Sequence, residues 1–193
     1  MKKLTVKILA LATAIIVAPS VLSADYVIHA GGLIDGVSDK ALKNVSVLIS
    51  DGKITAIKSG YQAPNEQQQV VDLKKHTVMP GLIDLHTHID VEMSEKTYTE
   101  GFFKDPVDFA LRAIQYTKAT LQAGFTTVRN LGGGVSMALR DAIDAGYIEG
   151  PRIFAAGKAI ATTGGHADPS NGINQQFSQL MGDPGPKEGV ISG

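Results

Sequence analysis

The sequence predicts an α/β protein in which a small all-β module precedes strands and helices alternating as β-α-β-α-β. Residues 25–79 are short β-rich runs separated by turn signals. Asp105-Pro106 then opens an amphipathic stretch of helical spacing between two apolar runs. A second such stretch, opened by Ser136 and closed by Gly146, leads to a third apolar run. Alternation of this kind builds a parallel sheet or barrel.

The chain begins with Lys2, Lys3 and Lys7, an apolar run from Ile8 to Val17, then Pro19 and Val21-Leu22-Ser23-Ala24. A basic start, a short apolar core and small residues at the exit predict a secretory signal peptide over residues 1–23. Cleavage is expected after Ser23 or one residue later. The run is shorter than the ~20 apolar residues that span a bilayer, so no stable membrane anchor is expected. The protein is expected in the periplasm or secreted.

Residues 24–79 form the β module. Tyr26 to Ala30 reads as a strand broken by Gly31-Gly32, and the runs Val45–Ser50 and Lys53–Lys58 flank Asp51-Gly52. An Asp-Gly pair between β-rich runs predicts a two-residue hairpin, because both turn positions need positive φ. The polar stretch from Ala63 to Gln69 then leads into Val70-Val71-Asp72-Leu73. His29 falls in the module and His76 in its exit loop, both with structural or merely exposed roles. A module of roughly 55 residues is marginal on its own and is expected to need strands from elsewhere.

Residues 80–193 carry the alternating part. Val78 to Leu85 is nearly continuous apolar sequence, the pattern of a strand buried on both faces. Asp105 caps the first helix and Pro106 takes its first position. Val107, Ala110, Leu111, Ile114, Thr117 and Leu121 recur at helical spacing and predict its buried face. Gly124 closes it, and Phe125 to Arg129 reads as the next strand. Gly132-Gly133-Gly134 is a turn. Ser136 caps a second helix bearing Met137, Leu139 and Ile143, which ends at Gly146. After Gly150-Pro151, Arg152 to Ala156 is a third strand. The Gly-rich tail from Gly164 to Gly193 shows no further strand. An eight-stranded barrel takes ~250 residues, so three strands and two helices amount to less than half of one. Such a part-barrel is expected to expose Leu82, Phe125 and Val128 on its inner face. A doubly wound sheet is the alternative on pattern alone.

Composition narrows the function. Hydrophobic residues are 44%, charged residues 19% and the net charge is -1, values of an ordinary globular protein. A near-neutral balance gives no electrostatic reason to expect nucleic acid. The absence of cysteine excludes disulfides, thiolate metal sites and a cysteine nucleophile.

His86-Thr87-His88 is the motif that carries chemistry. In a strand, residues i and i+2 project to one face, so both imidazoles can meet one divalent ion such as Zn²⁺. They follow the first strand of the alternating part, and barrel enzymes place their active sites at C-terminal strand ends. By spacing alone a His-x-His pair is weak evidence for a metal site, and its position after a buried strand brings the metal reading level with that of two structural histidines.

The string Val78-Met79-Pro80-Gly81-Leu82-Ile83-Asp84-Leu85-His86-Thr87-His88 after a β module resembles the signature of the amidohydrolase superfamily. Gly124-Phe125-Thr126-Thr127-Val128-Arg129-Asn130-Leu131-Gly132-Gly133, Gly150-Pro151-Arg152-Ile153 and Thr163-Gly164-Gly165-His166 resemble its Xaa-Pro dipeptidase and imidazolonepropionase-related branch. The resemblance implies a TIM-type (β/α)8 barrel represented by about its first three strands. It implies a metal-dependent hydrolase of amide or peptide-like C–N bonds, such as a dipeptidase or N-acyl amino acid hydrolase, working through metal-activated water. First-strand histidines bind metal in this superfamily, and these map onto His86 and His88. In this branch a carboxylated lysine on the fourth strand bridges two ions. Histidines come from the fifth and sixth strands, and an aspartate on the eighth moves the proton. No residue here maps to those, so the general base is expected beyond Gly193 and the chain alone is expected to be inactive. One or two divalent ions, with Zn²⁺ first, and a small amide or peptide-like substrate are the implied cofactor and partner.

Other candidates are His166, as a substrate contact or a backbone-bonded loop histidine, and Arg129, as a substrate-carboxylate anchor or a structural ion pair. Asp84 and Asp90 flank the histidines as partners that could fix an imidazole tautomer. Related sequences often have Asp where Asn130 stands. Two alternatives to the fragment reading are one half of a split hydrolase, completed by another chain, and a non-catalytic half-barrel binding protein. A homo-oligomer is compatible with each.

Overall fold

A computed structural model describes residues 25–182 and 184–192; the expected signal peptide over 1–23 lies outside them. The described chain divides after Pro80 into two units, each with its own sheet and apolar core.

The first unit is a four-stranded sheet of β1 (Asp25–Leu33), β2 (Leu42–Ser50), β3 (Lys53–Ser59) and β4 (Gln68–Val78). Its order is β3-β2-β1-β4. β1 runs antiparallel to β2 and parallel to β4, and β2 is antiparallel to β3. The hairpin forms at Asp51-Gly52 as expected. Their φ values are 50° and 70°, and Ser50 sits opposite Lys53. Gly31-Gly32 does not break the first strand. β1 continues to Leu33 with a register shift between Ala30 and Gly32. A Cβ on Gly31 would lie 2.0 Å from the Lys74 carbonyl oxygen, so this glycine admits a close neighbouring backbone instead of ending the strand. β4 correspondingly runs past Leu73 and takes in His76, which was expected in a loop. Ala30, Leu33, Val45 and Val47 form the core, with Ile28, Leu42, Ile49 and Val78 packed on it. His29 is also buried, with Nε2 2.8 Å from the Gln62 carbonyl oxygen.

The second unit contains β5 (Leu82–Thr87), α1 (Thr97–Glu100), α2 (Pro106–Gln122), β6 (Phe125–Asn130), α3 (Ser136–Asp144) and β7 (Arg152–Ala155). β8 (Ala161–Thr162), α4 (Gln175–Met181), a 3-10 turn at Pro186–Glu188 and β9 (Val190–Ile191) follow. β5, β6 and β7 form one parallel sheet in that order, and β8 pairs with β9 separately. The expected run from Val78 to Leu85 is therefore two strands. Val78 ends β4, and Pro80, which has no N–H for a ladder, stands between it and β5. Nor is β5 buried on both faces: Leu82, Ile83 and Leu85 are exposed on an edge strand. The tail, expected to lack a strand, supplies β9.

α2 begins as its sequence requires, the Asp105 N–H donating to the Asp108 carboxylate at 3.0 Å. Its buried face matches the expected one at Thr117 and Ala110 only. Ala113 and Thr117 are buried, and Phe109, Ala110 and Tyr116 pack beside them. Val107 and Leu111 remain 66% and 65% exposed. The helix packs against β6, and small residues at 113 and 117 permit the approach. The Thr117 hydroxyl lies 2.9 Å from both the Ile114 and Glu149 carbonyl oxygens, joining α2 to the turn before β7. In α3, Ser136 is the first helical residue and not the cap. Leu139 is buried, Ile143 packs on the core and Met137 is exposed. Gly146 closes the helix by donating to Ile143 while Tyr147 donates to Ala142, the paired bonds of a Schellman end.

Both helices cover one side of the sheet, where Val128, Ile153, Ala113, Leu139, Val135 and Ile89 form the core. Val128 is thus wholly buried and Phe125 partly so, against the expectation that they would be exposed. Strand alternation assigns the uncovered side to Ile83, Arg129 and Phe154, whose pairing partners confirm that parity.

Before α2, the Arg112 guanidinium donates to both Glu100 oxygens at 2.8 and 2.7 Å, pinning α1. These bonds hold the Glu100 carboxyl below its usual range. A carboxyl depressed on folding stabilises above its unfolded pKa, about 4.3, and the contribution is lost as pH falls through the lower folded value. The segment 91–105 should therefore keep its hydrogen-exchange protection at neutral pH and lose it selectively below about pH 4. Glu100→Gln should show the loss already at neutral pH, as read by exchange mass spectrometry.

Candidate metal centre

The candidate centre starts from a fault in strand pairing. Asp84 lies opposite Val128 and Thr87 opposite Asn130, with a register shift between them. Two residues of β5, Leu85 and His86, therefore face one residue of β6, Arg129. This is a β-bulge. Regular alternation would give positions 84, 86 and 88 the same face, the helix-covered face of Val128. The extra residue reverses the parity after Asp84. Thr87 then shares the side of Asn130, and His86 turns to the uncovered side of Arg129 and Phe154, with His88 next to the end of the strand.

The two imidazoles come together there. Their ring centroids are 5.8 Å apart with planes at 63°, and both residues are exposed. Among the described residues neither ring is engaged in a hydrogen bond, so their nitrogens are available as donors. The pair suits a divalent ion of the zinc type. Among the described residues no third His, Asp or Glu closes a ligand cluster.

The polar groups released by the bulge are taken up by neighbouring side chains. Arg129 Nε donates to the Leu85 carbonyl at 2.8 Å. The His86 backbone N–H donates to Asp84 Oδ1 at 2.9 Å. Beyond the bulge, Asn130 Oδ1 accepts from the Ile89 N–H at 2.7 Å and from the Thr87 hydroxyl at 3.3 Å. Asn130 Nδ2 donates to Asp90 Oδ1 at 3.4 Å and to the Gly132 carbonyl. Asn130 is fully buried and Asp90 nearly so. Gly133 makes room for that carboxylate, since a Cβ there would stand 2.0 Å from Asp90 Oδ2. Asp84 and Asp90 thus direct these hydrogen bonds to the backbone and to an amide, not to an imidazole. Sequence reasoning missed Asn130 as the hub of the turn after the histidines; its place at the end of a buried strand was the available signal.

The remaining candidates sit apart. Arg129 is exposed, with its Nε used as described, and lines a hollow of about 460 Å³ with Arg140, Asp144, Arg152 and Phe154. His88 instead borders a hollow of about 340 Å³ against Tyr116 and Thr120 of α2. His166 is exposed on the loop after β8. That loop is braced by buried Asp168, which accepts from the Ser170 hydroxyl at 2.7 Å, the Gly164 N–H at 2.7 Å and the Ser170 N–H at 2.8 Å. The Ser170 hydroxyl first, then those N–H groups, hold the Asp168 carboxyl below the usual carboxylate range.

Known proteins resemble this chain. Residues 77–187 match the model of the amidohydrolase family. An ochratoxinase of Aspergillus niger is 32% identical over 146 residues, covering 74% of this chain and 30% of the relative. A solved Xaa-Pro dipeptidase with methionine in its active site is 43% identical at a TM-score of 0.78, over 88% of this chain and 41% of that one. A prolidase complexed with N-methylphosphonate-L-proline is 28% identical at a TM-score of 0.69, with the same coverage of 88% and 41%. The chain therefore spans well under half the length of these relatives.

Replacing Asn130 with Ala should leave the Ile89 N–H and the Asp90 carboxylate without their buried partner. A loss of about 1–3 kcal/mol is expected for such an orphaned group. Denaturant unfolding checks the size, and faster exchange of the Ile89 amide locates the cause.

Proposed function

The chain belongs to the amidohydrolase family, and from that premise we propose that it supplies the first metal ligands of a hydrolase for amide or peptide-like C–N bonds. In this reading β5, β6 and β7 are the opening strands of a (β/α)8 barrel, and their C-terminal ends face the substrate. The observation that carries the proposal is the convergence of the His86 and His88 rings, 5.8 Å apart, at the C-terminal end of β5. Xaa-Pro dipeptidase, prolidase and ochratoxinase relatives support an amide or dipeptide-like substrate.

His86 and His88 would hold a divalent ion, for which two imidazole donors favour Zn²⁺. The chemistry such an ion supplies is a more acidic water and a polarised carbonyl. The chain's own contribution is placement. Thr87 and Asn130 fix the backbone around the histidines, and His166, exposed on the loop braced by Asp168, would be a substrate contact. Turnover also needs at least one further protein ligand and an acid/base group for the leaving amine. Export directed by residues 1–23 completes the proposal, supported by their basic, apolar and small-residue order.

Single His86→Ala and His88→Ala variants should each weaken Zn²⁺ binding by more than about 100-fold, beyond what loss of a supporting residue costs. Isothermal titration of the metal-free protein measures this. Wild-type affinity in the double variant would overturn the assignment.

A further inference from the structure

The bulge at Leu85-His86 decides which face of the sheet receives the histidines, so the groups that hold it matter as much as the ligands. We infer that Asp84 and Arg129 are positioning residues that lock this bulge and thereby aim His86 and His88. A bulge takes an extra residue out of the ladder and leaves backbone polar groups in need of partners. The two residues next to it supply them. Arg129, the one residue opposite the bulge, donates Nε to the Leu85 carbonyl at 2.8 Å. Asp84, the last residue before it, accepts the His86 N–H at 2.9 Å. If both bonds are removed, the register set by Asp84 and Val128 can run on unbroken. His86 would then fall opposite Asn130, toward the helices and away from the uncovered face. This role uses only the Nε of Arg129 and not its charge, which separates it from anchoring a substrate carboxylate. Its metal readout rests on the metal-centre reading above, whereas its backbone readout does not.

The test uses the full chain and four variants. Asp84→Ala and Arg129→Met remove the acceptor and the donor. Asp84→Asn keeps a side-chain oxygen in the same place, and Arg129→Gln carries an amide nitrogen as many bonds from Cα as Nε. Exchange of the His86 amide, followed by NMR, should accelerate at least ~10-fold in Asp84→Ala and Arg129→Met, in step with a ~10–100-fold fall in Co²⁺ affinity. The Asn and Gln variants should restore both readouts to near wild type. Unchanged exchange and Co²⁺ binding in the Ala and Met variants would overturn the inference. So would loss of both in Arg129→Gln, because charge would then be the property that counts. That variant decides the matter alone if Arg129→Met does not fold. A wild-type chain that binds no Co²⁺ defeats the metal reading, and the His86 exchange rates still decide the bulge.

Discussion

Strict alternation along a β-strand gives residues 84, 86 and 88 one common face, and β5 cannot use it. Asp84 is paired with Val128, whose side chain lies under α2 and α3, and beside it a hollow lined by Asp84, Thr120 and Val128 opens toward α2 and away from the uncovered face. Two imidazoles placed there would be buried between sheet and helix, out of reach of any substrate. The bulge reconciles the demands by spending one residue to change sides. A first register shift falls between Leu82 and Ile83 and a second after Asp84, and beyond the second the histidine pair stands exposed. Every later feature of the site presupposes that change of parity.

Holding the new parity requires polar partners on both sides of the kink. Asn130 does this after the histidines, and it is suited to the task because an amide both donates and accepts. Its oxygen takes the Ile89 N–H while its nitrogen reaches Asp90 and the Gly132 carbonyl. Two turns that follow different strands are joined through one buried side chain. A carboxylate at 130 could satisfy Ile89 but would face the Asp90 carboxylate without a proton to give, and the open backbone at Gly133 leaves Asp90 little reason to move away.

Much of this architecture was legible because local chemistry writes it plainly. Asp51-Gly52 forces positive φ, Asp105-Pro106 starts a helix, and Gly146 ends one. The strands at Phe125 and Arg152 followed from alternation with helices, and the histidine pair followed from i, i+2 spacing. Other features left no such trace. On α2 the expected face held at Thr117, and only the contact with β6 reveals that Ala113 is inside with it while Val107 and Leu111 are not. Gly31-Gly32 looked like punctuation because sequence does not show which backbone passes beside a glycine. The bulge is invisible for a similar reason: it depends on register against β6, a relation between segments about forty positions apart. Family resemblance assigned His86 and His88 a role without showing how they come to face outward.

The bulge also bears on whether the proposed ligand pair is portable. Copying His-Thr-His onto the end of a strand in another scaffold would deliver two side chains without the kink that turns them. A transplant would need Asp84 through Asp90 together with Arg129, Asn130 and the glycine that seats Asp90. That is a motif spread over two strands and a following turn, and first ligands placed without their supporting shell are held too loosely to work. For a protein designer, the smallest transferable unit of this centre is a pair of strands, not a tripeptide.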